Sequence, residues 1–351
     1  MILMTNQLTN KQNNEVSTNI NPYDNTYHPS KQALSELVAK MQAPINRRAI
    51  VPGYIARTDG FDVDSHIEQL ERLAEINPSL HGLLSRTLSV SDLTAKLYER
   101  FKENPNSLYN WFNPVVKAVK NSDTVFKIPA TKALRLPIEL AQFIRIEYHK
   151  TSQQDKDLFN EFIFDQFELE DDKTYFIKTG TFSSKFQFAN AKCHEPREMG
   201  EYFQVINNFA MSVGAGQSVD LVVREYIEDV ENNPTIYNGM PLRTEFRVFV
   251  DCDKDELIGV VPYWHPIVMK RALKAGLSDS MEQDYQTYLR HQDKLIEEYN
   301  EWLPTVRKEI KNILPNLELD GQYSIDVMKN GNDLYIIDLA LMSESALTEL
   351  L

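Results

Sequence analysis

The chain has little cysteine, only Cys193 and Cys252 in 351 residues. With no CxxC or metal-finger spacing between them, neither a disulfide framework nor a structural zinc site is expected, and buried free thiols are. There is no uninterrupted apolar run near the ~20 residues that span a bilayer, and no basic-then-apolar signal pattern at the N-terminus. These absences point to a soluble, cytoplasmic protein of a reducing compartment, without membrane contact. Positive charge is also scarce: 37 Lys plus Arg face 51 Asp plus Glu, for a formal charge of -14. That balance opposes broad attraction to nucleic acid phosphates, so nucleic acid is not favoured as a partner, although a local basic groove stays open. No internal repeat is visible.

The 42% hydrophobic content is enough for proper cores without staples. Residues 1–30 are dominated by Asn, Thr, Gln and Ser, show no period and read as a disordered tail. Residues 31–107 read as a helical N-terminal module. Leu34, Leu37, Val38 and Met41 share one face, and Ile67, Leu70 and Ala74 repeat the spacing after Asp62 and Asp64. A third helix is expected from Ser91, whose hydroxyl would cap it ahead of Leu93, Leu97 and Phe101.

Residues 108–351 form the third unit. After Asn121 the texture turns to strands at 174–178, 220–227, 245–251, 257–263, 323–328 and 334–339. A helical stripe follows through Tyr288, Leu295, Tyr299, Trp302, Val306, Ile310 and Ile313, read as packing surface and expected to kink or divide at Pro304. Strands mixed with helices make the fold class α+β.

Three segments carry chemistry. A strand at 175–178 enters a small-residue loop with Lys178, Gly180, Ser183 and Lys185. Glycine allows close backbone approach, hydroxyls donate and lysine supplies charge, so such a loop can fold over phosphates; a surface hairpin with a glycine turn looks the same. The strand 221–227 turns acidic at its end, and backbone groups near Glu225 and Ile227 suit an adenine edge. An ordinary buried strand leaving toward solvent is the alternative. Lastly, 323–328 and 334–339 form a hairpin in which Asp326 and Asp338 each interrupt an apolar strand. Buried carboxylates need a cation, an arginine or a proton. Magnesium bridging ATP phosphates and structural pairing with Arg247 or Arg243 weigh equally on these residues alone.

In this order the segments resemble the ATP-grasp superfamily, most closely its cell-division-cycle branch, which assists assembly of eukaryotic translation initiation factor two. The resemblance starts at Trp111-Phe112-Asn113-Pro114 and continues through Lys132-Ala133-Leu134-Arg135-Leu136-Pro137, the Lys178 to Lys185 loop and Val222-Val223-Arg224-Glu225-Tyr226. Glu245-Phe246-Arg247-Val248-Phe249-Val250, Leu257-Ile258-Gly259, Ile325-Asp326-Val327 and Ile337-Asp338 complete it. It covers about residues 108–351.

The resemblance implies an ATP-grasp fold with ATP between two lobes. Lys132 and Lys178 would contact phosphates or the purine, Glu225 and Ile227 would line the adenine, and Glu245 would hold the ribose. Asp326 and Asp338 would hold Mg2+, and Arg247, with Lys178, would act on the phosphates. One departure stands out: where the family carries Asn two positions after the second acidic ligand, this chain has Ala340, with Leu341 in place of the following Pro. Either Ser343 or Glu344 substitutes, or extra water holds the magnesium, or activity is weakened or lost. Two functional classes follow, an ATP- and magnesium-dependent ligase acting on a peptide or macromolecular substrate, and a non-ligating ATP-binding assembly factor for an unidentified protein partner. A nucleic acid end-joining enzyme is a third. His194 and His265 have no triad spacing and read as ordinary polar residues.

Overall fold

The structure is a computed structural model, and it describes residues 26–27, 31–41, 62–272 and 279–351. The rest of the tail assigned to residues 1–30, apart from 26–27, lies outside the described residues.

The helices are α1 (Lys31–Lys40), α2 (Val63–Ile76), α3 (His81–Val90), α4 (Ala95–Lys102), α5 (Leu108–Asn121), α6 (Ile138–Ile144), α7 (Gln153–Gln166), α8 (Phe188–Ala191), α9 (Met199–Ser212), α10 (Pro266–Ala272) and α11 (Asp279–Ile313). The strands are β1 (Thr26–Tyr27), β2 (Phe126–Lys127), β3 (Thr131–Arg135), β4 (Tyr175–Thr179), β5 (Lys192–Cys193), β6 (Asp220–Glu225), β7 (Thr235–Ile236), β8 (Met240–Pro241), β9 (Glu245–Asp251), β10 (Glu256–Pro262), β11 (Gln322–Asn330) and β12 (Asp333–Leu341). The α+β class expected from the sequence is what these elements form.

Two five-stranded sheets organise the chain, in the orders β1-β3-β6-β4-β5 and β10-β9-β11-β12-β2. Within the stretch read as tail, Thr26 and Tyr27 instead pair in parallel with Ala133 and Leu134. On the first sheet, Leu134, Ile177, Leu221 and Val223 share one core with Phe143, Phe159 and Phe203 from the helices. Leu37, Met41, Ile67, Leu88, Leu93, Leu97 and Phe101 belong to that same core. The helices of the N-terminal module are therefore packing partners of the first sheet, and no core boundary falls at residue 107. Each such side chain contributes about 1.5–3 kcal/mol on burial.

Capping explains the module's helix starts. The Asp62 carboxylate accepts from the backbone N–H groups of Asp64 and Ser65, beginning α2 with Ile67, Leu70 and Ala74 buried, as its spacing predicts. The third start differs from expectation. Ser91 closes α3, its Oγ donating to the Thr87 carbonyl at 2.6 Å, and Thr94 caps α4 by accepting from the Leu97 N–H. Both residues have a hydroxyl three or more positions ahead of the apolar face, and the spare bond at the end of α3 claims the first.

The second sheet turns Phe246, Val248, Val250, Ile325, Val327, Ile336 and Leu339 onto α5 and α11. α11 runs as one helix through Pro304, so of the expected kink or division the division does not occur. Tyr288 is fully buried in one core, and Val306, Ile310 and Ile313 in another, so packing on both sides of Pro304 offsets the backbone bond it forfeits. At the β11–β12 hairpin, Gly331 at φ +63° supplies the left-handed residue that a tight turn of this kind requires.

Candidate functional site

Strand alternation decides what faces the space between the sheets. In the first sheet Ile177 and Val223 go to the helical core, so Lys178 and Arg224 point the other way. In the second, Phe246, Ile325 and Val327 are core, which turns Glu245, Asp326 and Met328 toward the first sheet. β12 needs one more device. Leu334 and Ile336 are core residues, and strict alternation would bury Asp338 beside them. Asp326 pairs with Asp338 while Val327 pairs with Ile336, so Ile337 is an extra residue, a β-bulge. The bulge flips the phase: Leu339 becomes core, and Ile337 and Asp338 both face the cleft.

The resulting cleft has a free volume of about 130 Å³ and opens to solvent. One wall is apolar, from Phe176, Phe188, Tyr226, Met240 and Met328. The rings of Phe176 and Phe188 lie 6.1 Å apart, and those of Phe188 and Tyr226 6.2 Å. The rest of the lining is charged, with Lys178, Lys185 and Arg224 among Glu245, Asp326 and Asp338, while Arg243 lies on the apolar side, 3.4 Å from Met328 Sδ.

Lys178 is 2% exposed and donates to Asp338 Oδ1 at 2.7 Å, tying the two sheets together. Burial pushes its ammonium pKa down, and Asp338 pulls the other way without fully compensating. Burial likewise pushes Asp338 up, yet Lys178 and Arg224 outweigh it and leave the carboxylate below its ordinary value. Asp326 has a different partner: Arg247 grips it with both Nε at 2.8 Å and Nη2 at 2.7 Å. The alternative of arginine pairing is the one realised, and it is Arg247 rather than Arg243, since Arg247 stands opposite Asp326 in the β9–β11 register.

Arg224, 4% exposed, gives Nη1 to the carbonyl of the bulged Ile337, while its Nε and Nη2 have no partner among the described residues. Burial takes its pKa down to about 10, with Asp338 pulling the other way. The Lys185 ammonium, with no ion pair among the described residues, lies 3.9 Å from the centroid of the Tyr263 ring. Burial pushes Glu245 up to about 7; Lys185 pulls it down and Asp326 pushes it further up. Ser184, between Ser183 and Lys185, holds φ +49° with a buried hydroxyl that has no partner, a strained turn of the sort that recurs at ligand sites.

Of the residues singled out in the sequence, Lys178, Ser183, Lys185, Glu225, Ile227, Glu245, Asp326 and Asp338 line the cleft. Three do not. Lys132 shares the phase of Leu134, which faces the helical core, and its ammonium binds the Phe167 carbonyl at 2.6 Å and Glu168 at 3.0 Å. Gly180 is a packing glycine: a Cβ there would collide with the hydroxyls of Ser107 and Ser218, and its N–H donates to the Asp220 carbonyl. Arg247 shares the face of β9 that carries Glu245 but is held on Asp326 and does not line the cleft, its Nη1 donating to the Ala346 carbonyl at 3.3 Å. At the base-facing edge, the Ile227 carbonyl accepts from Arg243 Nη2 at 2.6 Å and the Glu225 N–H donates to the Ala130 carbonyl at 2.9 Å, so these two backbone groups are already engaged. Arg224 and the aromatic wall went unread in the sequence. A charge breaking the run Leu221-Val222-Val223 was the signal available for Arg224.

The metal expectation is tested by the donors. Among the described residues no three His, Cys, Asp or Glu side chains cluster to hold a metal ion. Both Asp326 oxygens are used by Arg247, and Asp338 is bound by Lys178. Neither proposed substitute for the missing Asn lines the cleft, and Glu344 accepts from Asn106 at 2.8 Å instead. Asp338 Oδ2 and the Glu245 carboxylate have no partner among the described residues, so these are the oxygens that would face a nucleotide-bound Mg2+.

No family model matches the chain, and no curated protein matches it in sequence. Among solved structures it is similar to Cdc123 from Schizosaccharomyces pombe, 14% identical over 74% of this chain and 90% of that one, with a TM-score of 0.42. It is also similar to D-alanine–D-alanine ligase from Bacillus anthracis complexed with ATP, 8% identical over 65% of this chain and 51% of that one, with a TM-score of 0.29. D-alanyl-alanine synthetase A from Vibrio cholerae gives 10% identity over 67% and 56%, with a TM-score of 0.26. The chain spans about half the length of each of these two enzymes.

Proposed function

We propose that the cleft between the two sheets binds ATP. The observation that carries this reading is Arg224, a buried guanidinium aimed into the cleft with two unpartnered N–H donors. An unpaired buried cation is costly, and an anion placed against it recovers that cost through charge-assisted hydrogen bonds. Lys185 and Ser183 stand ready on the loop from β4, and Lys178 can share its ammonium between Asp338 and a phosphoryl oxygen. The wall of Phe176, Phe188, Tyr226, Met240 and Met328 offers a purine a stacking surface, which places the polyphosphate against the charged lining. Glu245, which is protonated about half the time near neutral pH, suits a sugar hydroxyl.

Binding without ligation is the form the residues support best. Ligation through an acyl-phosphate asks for strong neutralisation of the transferring phosphoryl group, while Asp326 is spent on Arg247 and the Ala340 side chain offers no ligand atom. The protein then acts as an ATP-dependent clamp on a protein partner, as resemblance to the assembly-factor branch suggests. Incubation of the purified protein with ATP tests this. Intact ATP at the end supports the clamp; release of ADP would restore the ligase reading and release of AMP a nucleotidyl transfer of the end-joining kind.

A further inference from the structure

Lys185 is held at the cleft by aromatic rings in place of a carboxylate. Its ammonium lies 3.9 Å from the ring centroid of Tyr263 and 5.8 Å from those of Trp264 and Phe186, all within the ~6 Å over which a ring face attracts a cation. Among the described residues that ammonium makes no ion pair and no hydrogen bond. Glu245 and Asp326 attract it from beyond ion-pair distance, and burial pushes its pKa down.

The rings are fixed before any ligand arrives. Tyr263 follows the end of β10, and its N–H donates to the Glu245 carbonyl at 2.9 Å, continuing the pairing with β9. Trp264 is buried; its Nε1 donates to the Arg243 carbonyl at 3.0 Å, and its own carbonyl accepts from the Tyr288 hydroxyl at 2.9 Å. The Tyr263 and Trp264 rings meet edge to face with centroids 5.0 Å apart, and Phe186 meets Tyr237 in the same way at 4.9 Å. The Arg247 guanidinium also lies 4.7 Å from the Tyr263 centroid, but Asp326 holds it at two points and it does not depend on the ring.

A carboxylate partner would neutralise the lysine and occupy its donors, and a phosphate would have to compete for them. A ring face attracts the cation and leaves those donors open. A lysine free in water gives up rotamer freedom when it binds a phosphate, and one already confined against rings has less to lose. Tyr263 itself does not line the cleft, so it can serve a ligand there only through Lys185.

Resting on the nucleotide reading above, we infer that Tyr263, flanked by Trp264 and Phe186, is a positioning residue of this site: its ring holds the Lys185 ammonium unpaired at the cleft wall, ready for a phosphoryl oxygen.

Calorimetric titration of the full chain with ATP, in the natural form and in Tyr263→Phe and Tyr263→Leu, tests this. Tyr263→Phe keeps the ring and is expected to stay within about twofold of the natural affinity. Tyr263→Leu keeps apolar bulk without a ring face and is expected to lose about five- to tenfold. Equal losses in the two variants, or none in Tyr263→Leu, would overturn the inference. In a Lys185→Met background Tyr263→Leu is expected to cost nothing further. The same loss in both backgrounds would assign Tyr263 a merely structural role and overturn the inference too. Nuclear magnetic resonance of chain labelled at lysine Cε gives a second readout, the ε-methylene proton signal of Lys185, identified by its loss in Lys185→Met. Ring current is expected to hold it upfield in the natural chain and in Tyr263→Phe, and to release it in Tyr263→Leu and on saturation with ATP. An ordinary position in the natural chain without ATP would overturn the inference. Absence of ATP binding by the natural chain, with the upfield signal intact, would overturn the nucleotide reading and the positioning role with it, while leaving the ammonium on the ring.

Discussion

Asp326 and Asp338 look alike in the sequence and face each other across one hairpin, yet the structure gives them opposite circumstances. Asp326 is gripped at two points by an arginine of its own sheet, and the pair lies largely out of water. Asp338 meets a lysine from the other sheet through one contact, and its side chain keeps 38% of its exposure. A two-point contact within a sheet fixes geometry. A one-point contact across a cleft can be exchanged for a ligand. The difference arises from the Ile337 bulge, which lifts Asp338 toward the cleft and leaves Asp326 in register with Arg247.

The largest effect that would break this comparison is on stability. Asp326→Ala strands a largely buried guanidinium and is expected to lower unfolding free energy by about 3–5 kcal/mol in denaturant titration. Asp338→Asn retains a hydrogen-bond acceptor near Lys178 and is expected to cost about 1–2 kcal/mol. Equal losses would mean that the two carboxylates do the same structural work. For ATP the order reverses: Lys178→Met is expected to weaken binding by roughly 1.5–3 kcal/mol, or about tenfold or more, with little change in stability. Lys178 enters the ligand's environment, whereas Arg247 stays with Asp326.

Much of this could be read before the fold was known, and the exceptions have physical causes. Glu245–Asp251 is a strand over the expected residues, and the hairpin sets Asp326 opposite Asp338, because alternation and a glycine turn are local signals. Lys132 was misplaced by one residue of phase: period two says which residues share a face, not which face meets a ligand. Ser91 and Thr94 both have capping chemistry, and tertiary packing chose between them. Thr26–Tyr27 pairs with β3 through a contact too distant in sequence for any local pattern to show. The core shared by the N-terminal helices and the first sheet is likewise a long-range property, invisible to a boundary drawn by composition. Arg224 matters because its donors lack partners, which only the three-dimensional neighbourhood reveals.

Glu245 sharpens the comparison as a third acid on the same sheet, raised to about 7 chiefly by burial instead of being held ionised by a cation. The folded state therefore binds a proton that the unfolded chain releases near its ordinary 4.5. Stability contributed by that proton is full below the unfolded value and is lost as pH rises through the folded one. Glu245→Gln is expected to flatten the decline in stability between about pH 4.5 and 7 and to remove a fall in ATP affinity above neutrality, where the ionised carboxylate repels phosphate. A pH profile shared by variant and natural chain would assign the titration elsewhere. This is the smallest of the expected effects.

The central claim is that the cleft between the sheets is an ATP site organised around unpaired cations, and the most direct measurement compares ATP binding by the natural chain with Arg224→Met at matched thermal stability. The account predicts saturable binding by the natural chain and a loss of about tenfold or more in the variant. No detectable binding by the natural chain, or identical affinities for the two, would contradict it.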